Sequence, residues 1–340
     1  MKQQVMTEPG KIEFREIPIP DLKENDVLIK IMRIGVCGSD IHVFHGKHPF
    51  TPYPVTQGHE VSGKIEKVGS NVTDFKPGDK VTIQPQVVCE KCHSCLSGKY
   101  HICDELKVMG FQTTGTASDF FVTEASRVLK LPDDMTYDQG AMIEPMAVAC
   151  GVFTKTDDLN GLNVIVLGAG PIGNLTAQTA KALGAKSVLI TDVSDFRLEI
   201  AKKVGIDFTI NPSKQNLSEE IVKAYGPDKA DLIVECVGLN QTIDDAIANA
   251  RKGSDIIIVG VFDDKTLIDL SAVQCNELRL IGLLMYQTKE YLKAIELVQS
   301  GKVQLEPLMT NHFKFIEYEK AYQFIEEKKD KVMKVFIDVH

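Results

Sequence analysis

The sequence predicts an α/β protein of two domains, one rich in short β-strands and one built on a doubly wound parallel sheet. Its length of 340 residues suits two domains of about 100–200 residues each. The pattern also changes near residue 150, from short β segments to apolar strands that alternate with helix-length stretches. Apolar strands that alternate with helices are typical of a parallel sheet covered on both faces.

The first part of the chain consists of short β segments separated by turns. The segments are DVLIKIMRIGV (26–36), HEVSGKIEKVG (59–69) and DKVTIQPQVV (79–88), and turns such as KPGDK (76–80) divide them. Strands bounded in this way by Pro and Gly predict an antiparallel, partly barrel-like domain.

The second part alternates strands and helices. The predicted strands are NVIVL (163–167), SVLIT (187–191), DFTI (207–210), DLIVEC (231–236), DIIIVG (255–260) and LRLIGLL (278–284). A helix is expected at 173–184, whereas residues 261–277 follow neither period clearly. The tail predicts helices at about 289–300 and 317–328 and a closing strand at 334–339.

Charge and apolar runs argue against two classes of partner. The formal net charge is −9 and no stretch is rich in Lys and Arg, so nucleic acid is not an expected partner. The longest apolar runs, such as IIIVGVF (256–262), are far shorter than the ~20 residues of a membrane helix. The start, MKQQVMTEPGKIEF, has no apolar signal core. We therefore expect a cytoplasmic protein that makes no membrane contact.

A glycine-rich turn follows the first strand of the second part. VIVLGAGPIG (164–173) places Gly168, Gly170 and Gly173 in G-x-G-x-x-G register between a strand and a helix. Gly168 permits the tight turn, Gly170 lets the backbone approach a pyrophosphate, and Gly173 lets the helix lie close to the sheet. Pro171 suits the first helical turn, whose free N–H groups face the phosphate.

An acidic residue ends the next strand. Asp192 follows SVLIT, nineteen residues after Gly173, where an acid accepts hydrogen bonds from the ribose hydroxyls. The same carboxylate repels a 2′-phosphate, so the pattern favours NAD over NADP. Arg197 stacks over the adenine in one interpretation and is a solvated helical residue in the other.

Four cysteines lie within fifteen residues. Cys89, Cys92, Cys95 and Cys103 give the spacing C-x2-C-x2-C-x7-C, which suits a tetrahedral zinc with four thiolates. Four protein ligands leave no open position, so such a zinc is structural. An iron–sulfur cluster is the rival interpretation, but the Cys-Pro that often follows such a run is absent.

A second set of metal ligands is spread along the first part of the chain. Cys37, His59, Glu60 and Glu144 are thiol, imidazole and carboxylate groups of the kind that hold a catalytic zinc with an open position. Taken singly, each has another explanation: core packing for Cys37, a turn for His59 and surface charge for the glutamates.

The order of these motifs resembles one family. CGSDIH (37–42), GHE (58–60), the cysteine segment, IEP (143–145) and VIVLGAGPIG occur in the order and spacing of the zinc-containing medium-chain dehydrogenase/reductase family. The resemblance covers essentially the whole chain. It implies a GroES-like catalytic domain at 1–148 with a structural zinc lobe at about 86–106, a Rossmann NAD-binding domain at 149–286, and a return to the catalytic domain at 287–340.

The resemblance implies two zinc ions per chain, one catalytic and one structural, and NAD. The catalytic zinc would lie in the cleft between the domains on Cys37, His59 and either Glu60 or Glu144, whose individual roles stay open. A glutamate at position 144 is typical of the polyol, threonine and sugar-acid branches. Zinc would lower the pKa of the substrate hydroxyl, Ser39 and then His42 would pass its proton outward, and hydride would then leave for the nicotinamide.

Further contacts follow from the same resemblance. Beside the residues above, the cofactor contacts expected are Ile172, Val237, Val259, Gly260, Val261, Leu284 and Met285, and the substrate contacts are Phe44, Lys47, Phe111 and Tyr286. His45, Lys47 and His48 would form a cationic rim for a carboxylate or phosphate, unless they are simply solvated. Val43 and Met285 stand where sorbitol dehydrogenases have tyrosine and arginine, which argues against sorbitol itself.

The implied function is a zinc- and NAD-dependent dehydrogenase acting on a secondary alcohol of a polyol or sugar acid, nearest to the galactonate-type branch. An L-threonine or butanediol dehydrogenase is the alternative within the family. Outside it, the alternative is a non-catalytic zinc- and NAD-binding sensor or structural protein, against which the open set of Cys37, His59 and Glu144 argues. The expected partners are a small-molecule alcohol and copies of the same chain, as a homodimer or homotetramer.

Overall fold

The computed structural model describes residues 1–262 and 264–340. The chain forms two compact units, one of Met1–Glu144 with Met309–His340 and one of Pro145–Leu308. No helix in these described ranges is long and apolar enough to span a membrane.

The first part of the chain contains nine strands and three short helices among the residues described. In chain order they are β1 (Lys2–Glu8), β2 (Lys11–Glu16), β3 (Asp26–Gly35), α1 (Gly38–Phe44), β4 (Glu60–Val68), β5 (Lys80–Ile83), β6 (Gln86–Val87), α2 (His93–Leu96), β7 (Lys107–Val108), β8 (Phe120–Glu124), β9 (Val128–Lys130) and α3 (Tyr137–Ala141).

The elements then alternate before the chain returns to the first unit. The middle elements are α4 (Ile143–Val152), β10 (Asn163–Leu167), α5 (Pro171–Ala182), β11 (Ser187–Thr191), α6 (Asp195–Lys203), β12 (Phe208–Ile210), α7 (Leu217–Tyr225), β13 (Ala230–Glu235), α8 (Asn240–Asn249), β14 (Ala250–Ile258), α9 (Leu270–Cys275), β15 (Arg279–Gly282) and α10 (Thr288–Gln299). The last elements are β16 (Met309–Lys314), α11 (Tyr318–Lys328) and β17 (Lys334–Asp338).

Strand β3 organises the first unit. The main sheet has the order β16-β17-β3-β4-β5-β9, and β8 also pairs with β3. All three partners of β3 are antiparallel to it: β4 along its length, β8 through residues 26–30 and β17 through residues 33–35. The last strand of the chain therefore lies directly beside the strand that leads into α1. The antiparallel prediction is confirmed, although 79–88 divides into β5 and β6.

The second unit is a parallel sheet with the order β12-β11-β10-β13-β14-β15. All five pairings are parallel, and the strand order reverses at β10, which leaves a crevice at the carboxyl ends of β10 and β13. The predicted strands 163–167 and 187–191 coincide with β10 and β11, and β14 begins earlier than predicted. The doubly wound fold class predicted from the sequence is confirmed.

One segment packs differently from the sequence-based division. Residues 287–308, which the division at 287 assigned to the returning segment, lie in the second unit, and the return begins with β16. Helix α10 buries Tyr291, Ala294 and Leu297 along one face, so this helix completes the hydrophobic packing of the second unit. The functional limits 1–148, 149–286 and 287–340 stay a prediction.

Candidate functional site

A group of three candidate metal ligands forms where β3 meets α1. The ligand atoms of Cys37, His59 and Glu60 lie within 4.8 Å of one another. Cys37 directly precedes α1, and its backbone N–H donates to the Asp40 Oδ2 at 2.9 Å. Glu60 begins β4 opposite Gly35 of β3. The pairing of two neighbouring strands thus brings together residues that are distant in the sequence.

The glycine at position 35 leaves room for the Glu60 carboxylate. A Cβ atom added at Gly35 would overlap the Glu60 carboxylate. Because a side chain on β3 would displace the carboxylate from its place beside Cys37 and His59, the absence of a side chain at Gly35 is part of the geometry of the site.

A buried lysine holds the Glu60 carboxylate. Lys334 Nζ donates to both carboxylate oxygens of Glu60, at 2.7 and 2.6 Å, and to the carbonyl oxygen of Val36 at 3.2 Å. Burial lowers the pKa of Lys334, but Glu60 and then Cys37 outweigh it, so the pKa is raised. Sequence reasoning missed Lys334, because it lies 274 residues from Glu60 and no local motif marks it.

The environment of His59 favours a positive charge. His59 is buried, and its Nδ1 lies 3.5 Å from Oδ1 of the fully buried Asp40. Burial lowers the pKa of His59, but Asp40 and Cys37 outweigh it and raise that pKa well above its ordinary value. A divalent cation on Nε2 would satisfy the same electrostatic preference, with release of the proton.

The donor set fits a zinc ion with an open position. Thiolate, imidazole and carboxylate are all zinc ligands, and three protein ligands leave room for water or substrate. Glu144, in the first turn of α4, is also buried and raises the pKa of Lys334, but its carboxylate is not in the 4.8 Å group. Both glutamates therefore remain candidate ligands, with Glu60 the better placed.

The four cysteines between 89 and 103 form a second group. Their sulfur atoms lie within 4.8 Å of one another, and the backbone N–H groups of Cys89 and Glu105 donate to the Cys103 sulfur at 3.3 and 3.4 Å. Hydrogen bonds from the backbone of Asp104 and then Cys95 lower the pKa of Cys92 to about 6. These donors favour a thiolate at Cys92, whereas burial and then Cys92 raise the pKa of Cys95 to about 12, and a bound zinc, whose ligands are thiolates, would lower that pKa.

Phe111 lies between a metal-ligand candidate and the predicted rim. Its ring centroid is 4.9 Å from that of His59 and 4.8 Å from that of His48, with which it stacks at 15°. Burial, followed by the charge of His42, lowers the pKa of His48, whose Nδ1 lies 2.7 Å from the Thr51 hydroxyl. His48 is therefore neutral at neutral pH.

Only one of the three predicted rim residues remains a free cation. Nε2 of His45 lies 2.5 Å from the Glu326 carboxylate, and His48 is stacked on Phe111. The Lys47 side chain is exposed, and its ammonium group makes no hydrogen bond or ion pair with another residue in the described part of the chain.

The other predicted substrate and relay residues lie in different surroundings. Ser39 and His42 are half-buried on α1, just after Cys37. Phe44 packs in the core of the first unit with its ring edge-on to Tyr322 at 5.3 Å. Tyr286 is buried in the second unit against Tyr291. Their roles remain predictions.

The second unit contains a cavity of about 740 Å³ at the carboxyl ends of β10, β11 and β13. Gly168, Gly170, Asp192, Arg197 and Val237 line it, together with residues of α7 and α8. The other predicted cofactor residues are not in this lining, among the residues described: Pro171, Ile172, Gly173, Val259, Gly260, Val261, Leu284 and Met285.

The turn after β10 has the geometry that its glycines predict. Gly168 has a φ of 96°, which favours glycine, and a Cβ atom at Gly173 would overlap the carbonyl oxygen of Gly168. Asp192 accepts hydrogen bonds at 2.8 Å from the N–H groups of Ala169 and Ser194. The carboxylate is thereby held at the cavity wall.

A buried glutamate, which sequence reasoning did not single out, organises the neighbouring turns. Oε1 of Glu235 accepts hydrogen bonds at 2.8 Å from the N–H groups of Val237 and Gly238. Its carbonyl oxygen accepts from Val259 at 2.9 Å and Gly260 at 3.0 Å. Glu235 lies in DLIVEC (231–236), which was predicted only as a strand, and an acidic residue near the end of an apolar strand is the signal that marks it. Glu235 connects two turns that were predicted to contact the cofactor.

Comparisons with known proteins agree with both halves of this arrangement. The alcohol dehydrogenase GroES-like domain family matches residues 23–133, and the zinc-binding dehydrogenase family matches residues 171–300. Sorbitol dehydrogenase of Bacillus subtilis (strain 168) is 31% identical over 342 residues, covering 99% of this chain and 97% of that protein.

Two further relatives are named for sugar derivatives. L-idonate 5-dehydrogenase of Vitis vinifera is 34% identical over 305 residues, covering 87% of this chain and 83% of that protein. The crystal structure of galactitol-1-phosphate dehydrogenase from Escherichia coli is similar with a TM-score of 0.92 and 32% identity, covering 100% of both chains.

Removing one cysteine of the four should release one zinc ion. For Cys95→Ser we expect one zinc per chain fewer than in the wild type and a lower melting temperature, because the site needs four thiolates. Metal content by atomic emission measures this, and Cys275→Ser, at an exposed cysteine, is the matched control. Iron in the wild type, or an unchanged zinc content in Cys95→Ser, would contradict a structural zinc.

Removing the Lys334 charge should destabilise the first unit. Lys334→Met leaves Glu60 buried and unpaired, so we expect the free energy of unfolding to fall by about 3–5 kcal/mol in the presence of a chelator. Urea unfolding measures this. Lys202→Met, which breaks the exposed pair with Glu199, should cost no more than about 1 kcal/mol. Equal losses of unfolding free energy in the two variants would contradict a larger contribution from the buried pair than from the exposed pair.

Proposed function

Because the chain belongs to the zinc-containing medium-chain dehydrogenase/reductase family, as its motifs predicted, we propose that it oxidises a secondary alcohol of a polyol or sugar acid with zinc and NAD as cofactors. One observation carries the proposal. The same chain contains an open donor set of Cys37, His59 and Glu60 and a dinucleotide turn with Asp192 at its wall. A hydride-transferring alcohol dehydrogenase needs both parts.

The residues of the first unit have separate roles in the proposed reaction. Cys37, His59 and Glu60 would hold the zinc, which when bound supplies the Lewis acidity that favours ionisation of the substrate hydroxyl. Asp40 would orient the His59 ring through Nδ1, on the side away from the metal. Ser39 and His42, on α1 directly after Cys37, would pass the released proton toward solvent.

Lys334 balances charge in this arrangement. Its ammonium group compensates part of the negative charge of Glu60 and Cys37, which reduces the cost of burying these groups together. The carboxylate of Glu60 has more lone pairs than Lys334 occupies, and therefore retains the capacity to bind a metal. Glu144 is the second carboxylate within this electrostatic environment.

NAD is the favoured cofactor because of Asp192. The carboxylate is fixed at the wall of the cavity by two backbone N–H groups, where it would accept hydrogen bonds from ribose hydroxyls and repel a 2′-phosphate. Arg197 Nη1 lies 3.7 Å from the same carboxylate, so its charge is already partly compensated by Asp192.

The rim of the first unit favours an uncharged polyol over an anionic substrate. With His45 beside Glu326 and His48 neutral, only Lys47 offers a positive charge. A phosphate or carboxylate is usually bound by several charge-assisted hydrogen bonds. Sugar acids remain within the proposed class, with Lys47 as the group that would bind them.

Self-association is also proposed. β15 is the last strand of the parallel sheet, so its outer edge can pair with a second copy, and exposed Leu284 lies two residues after it. A homodimer or homotetramer in the cytoplasm is the state predicted from the sequence.

The function is tested by following NADH formation with the zinc-loaded protein on a panel of alcohols. The panel contains hexitols, pentitols, aldonates, 2,3-butanediol and L-threonine. We expect the highest kcat/KM on an uncharged polyol, and we expect Lys47→Ala to leave that value within about twofold, because an exposed lysine contributes little to binding a neutral molecule.

Other outcomes of the panel are equally informative. A preference for aldonates that falls about tenfold in Lys47→Ala would assign the sugar-acid substrate and overturn the preference for neutral polyols. Turnover of L-threonine or butanediol alone would assign the family alternative. No turnover, with zinc and NADH both bound, would contradict a dehydrogenase and favour a sensor or structural protein.

Cofactor preference should depend on Asp192. In Asp192→Ser we expect the ratio of kcat/KM for NAD to that for NADP to fall about 10–100-fold, because a charged hydrogen-bond acceptor for the ribose is lost. Asp195→Ser removes a neighbouring exposed acid that lies outside the cavity lining and should leave the ratio unchanged. A wild-type preference for NADP would contradict the assignment of Asp192.

A further inference from the structure

A line of buried polar side chains connects the returning helix α11 to the metal-ligand candidate His59. We propose that Tyr322, acting through Gln57 and Asp40, is a positioning residue that fixes the orientation of His59 and leaves its Nε2 free for the metal. The inference rests on the proposed zinc site and adds a residue that touches neither metal nor substrate.

The contacts in this line are short and fully enclosed. The hydroxyl of Tyr322 donates to Oε1 of Gln57 at 2.7 Å, and Nε2 of Gln57 donates to the carbonyl oxygen and to Oδ1 of Asp40 at 3.2 and 3.3 Å. Tyr322, Gln57 and Asp40 are all 0% exposed. Water therefore does not compete for these groups, and each lost hydrogen bond would leave a buried polar atom unsatisfied.

The direction of these hydrogen bonds is determined by Asp40, whose carbonyl and carboxylate oxygens can only accept. The nitrogen of the Gln57 amide therefore faces Asp40, and its oxygen faces Tyr322. Burial raises the pKa of Tyr322 well above its ordinary value, so its hydroxyl carries the proton that this oxygen accepts. The reversed amide would place two acceptors, the Gln57 oxygen and the Asp40 carboxylate, against each other.

Asp40 connects this line of polar side chains to His59. Its Oδ2 accepts the N–H of Cys37 at 2.9 Å, while Oδ1 lies 3.3 Å from Gln57 Nε2 and 3.5 Å from His59 Nδ1. With the carboxylate held from two sides, Nδ1 is the ring nitrogen that keeps its proton, so Nε2 presents its lone pair to the metal. A partner on the far side of a ligating imidazole normally fixes its tautomer in this way.

The ring of Tyr322 makes packing contacts that a phenylalanine would also make. The ring is packed edge-on against Phe44 at 5.3 Å and Tyr318 at 5.4 Å. Both are ring contacts, so a phenylalanine at position 322 keeps them. The hydroxyl of Tyr318 interacts with that of Tyr322, so Tyr318 is not independent of this line. The control is Tyr225 of the second unit, whose hydroxyl donates to the carbonyl oxygen of Val164 at 2.9 Å.

The test compares Tyr322→Phe with Tyr225→Phe in the full chain; each variant removes one hydrogen-bonded phenol hydroxyl. The readouts are the dissociation constant of the more weakly held zinc, measured by competition with a chelator, and the visible absorption spectrum of the cobalt(II)-substituted site. We expect Tyr322→Phe to weaken binding of this zinc about tenfold, near the lower end of what loss of an outer-shell partner causes. We also expect a shifted cobalt spectrum and a lower kcat at unchanged KM for NAD, whereas Tyr225→Phe should resemble the wild type in zinc affinity and cobalt spectrum.

A double variant tests whether the two residues act in one line. Gln57→Leu should weaken zinc binding at least as much as Tyr322→Phe does. Combining the two substitutions should weaken it no further, because either one already interrupts the line of hydrogen bonds. If Tyr322→Phe fails to fold by circular dichroism, Gln57→Leu alone supplies the zinc and cobalt readouts.

The outcomes distinguish this inference from the proposed function. Equal zinc affinities and cobalt spectra in Tyr322→Phe and Tyr225→Phe, or additive losses in the double variant, would overturn the positioning role while leaving a dehydrogenase intact. A wild type that binds the second zinc but turns over no alcohol would refute the function, and the two zinc affinities would still decide the role of Tyr322. A wild type that binds no second zinc would refute both.

Discussion

The ion pair between Lys334 and Glu60 is the interaction on which the site of the first unit depends. A carboxylate buried beside a thiol would be driven to take up a proton if no cation compensated it. Lys334 supplies that cation from the last strand of the chain, and its ammonium group also binds the carbonyl oxygen that precedes Cys37. Because β17 lies beside β3 in the sheet, Lys334 reaches the Glu60 carboxylate. A ligand set near the start of the chain is therefore completed by a strand at its end.

In the second unit, backbone N–H groups rather than a lysine stabilise the carboxylates. Two carboxylates at the carboxyl ends of parallel strands, Asp192 and Glu235, accept N–H groups of the turns that follow. Turns that approach a pyrophosphate must leave some N–H groups free for it. Here the two acidic side chains satisfy four other N–H groups of the surrounding turns, so these donors are paired within the protein. The glycines of the turn then need to supply only space and a positive φ.

The parts of this site that sequence predicted are those encoded locally. The cysteine segment, the turn after β10 and the residue Asp192 each depend on spacing within about thirty residues, and strand and helix periods predicted the parallel sheet. Lys334 and Tyr322 could not be predicted, because their partners Glu60 and Gln57 are more than two hundred and fifty residues away. The packing of α10 with the second unit escaped prediction for a similar reason, since an amphipathic helix does not specify which core it covers.

The positions of the two ligand groups along the chain also have a consequence for biosynthesis. The four cysteines span fifteen residues and close a small loop, so that segment can capture a metal ion soon after it leaves the ribosome. The other group is complete only when β17 has been translated, more than two hundred residues later. At about 5–20 residues per second this delay is roughly 10 to 50 seconds. During that time Cys37 and His59 are present without the lysine that balances Glu60, so the cysteine group is complete well before the group around Glu60.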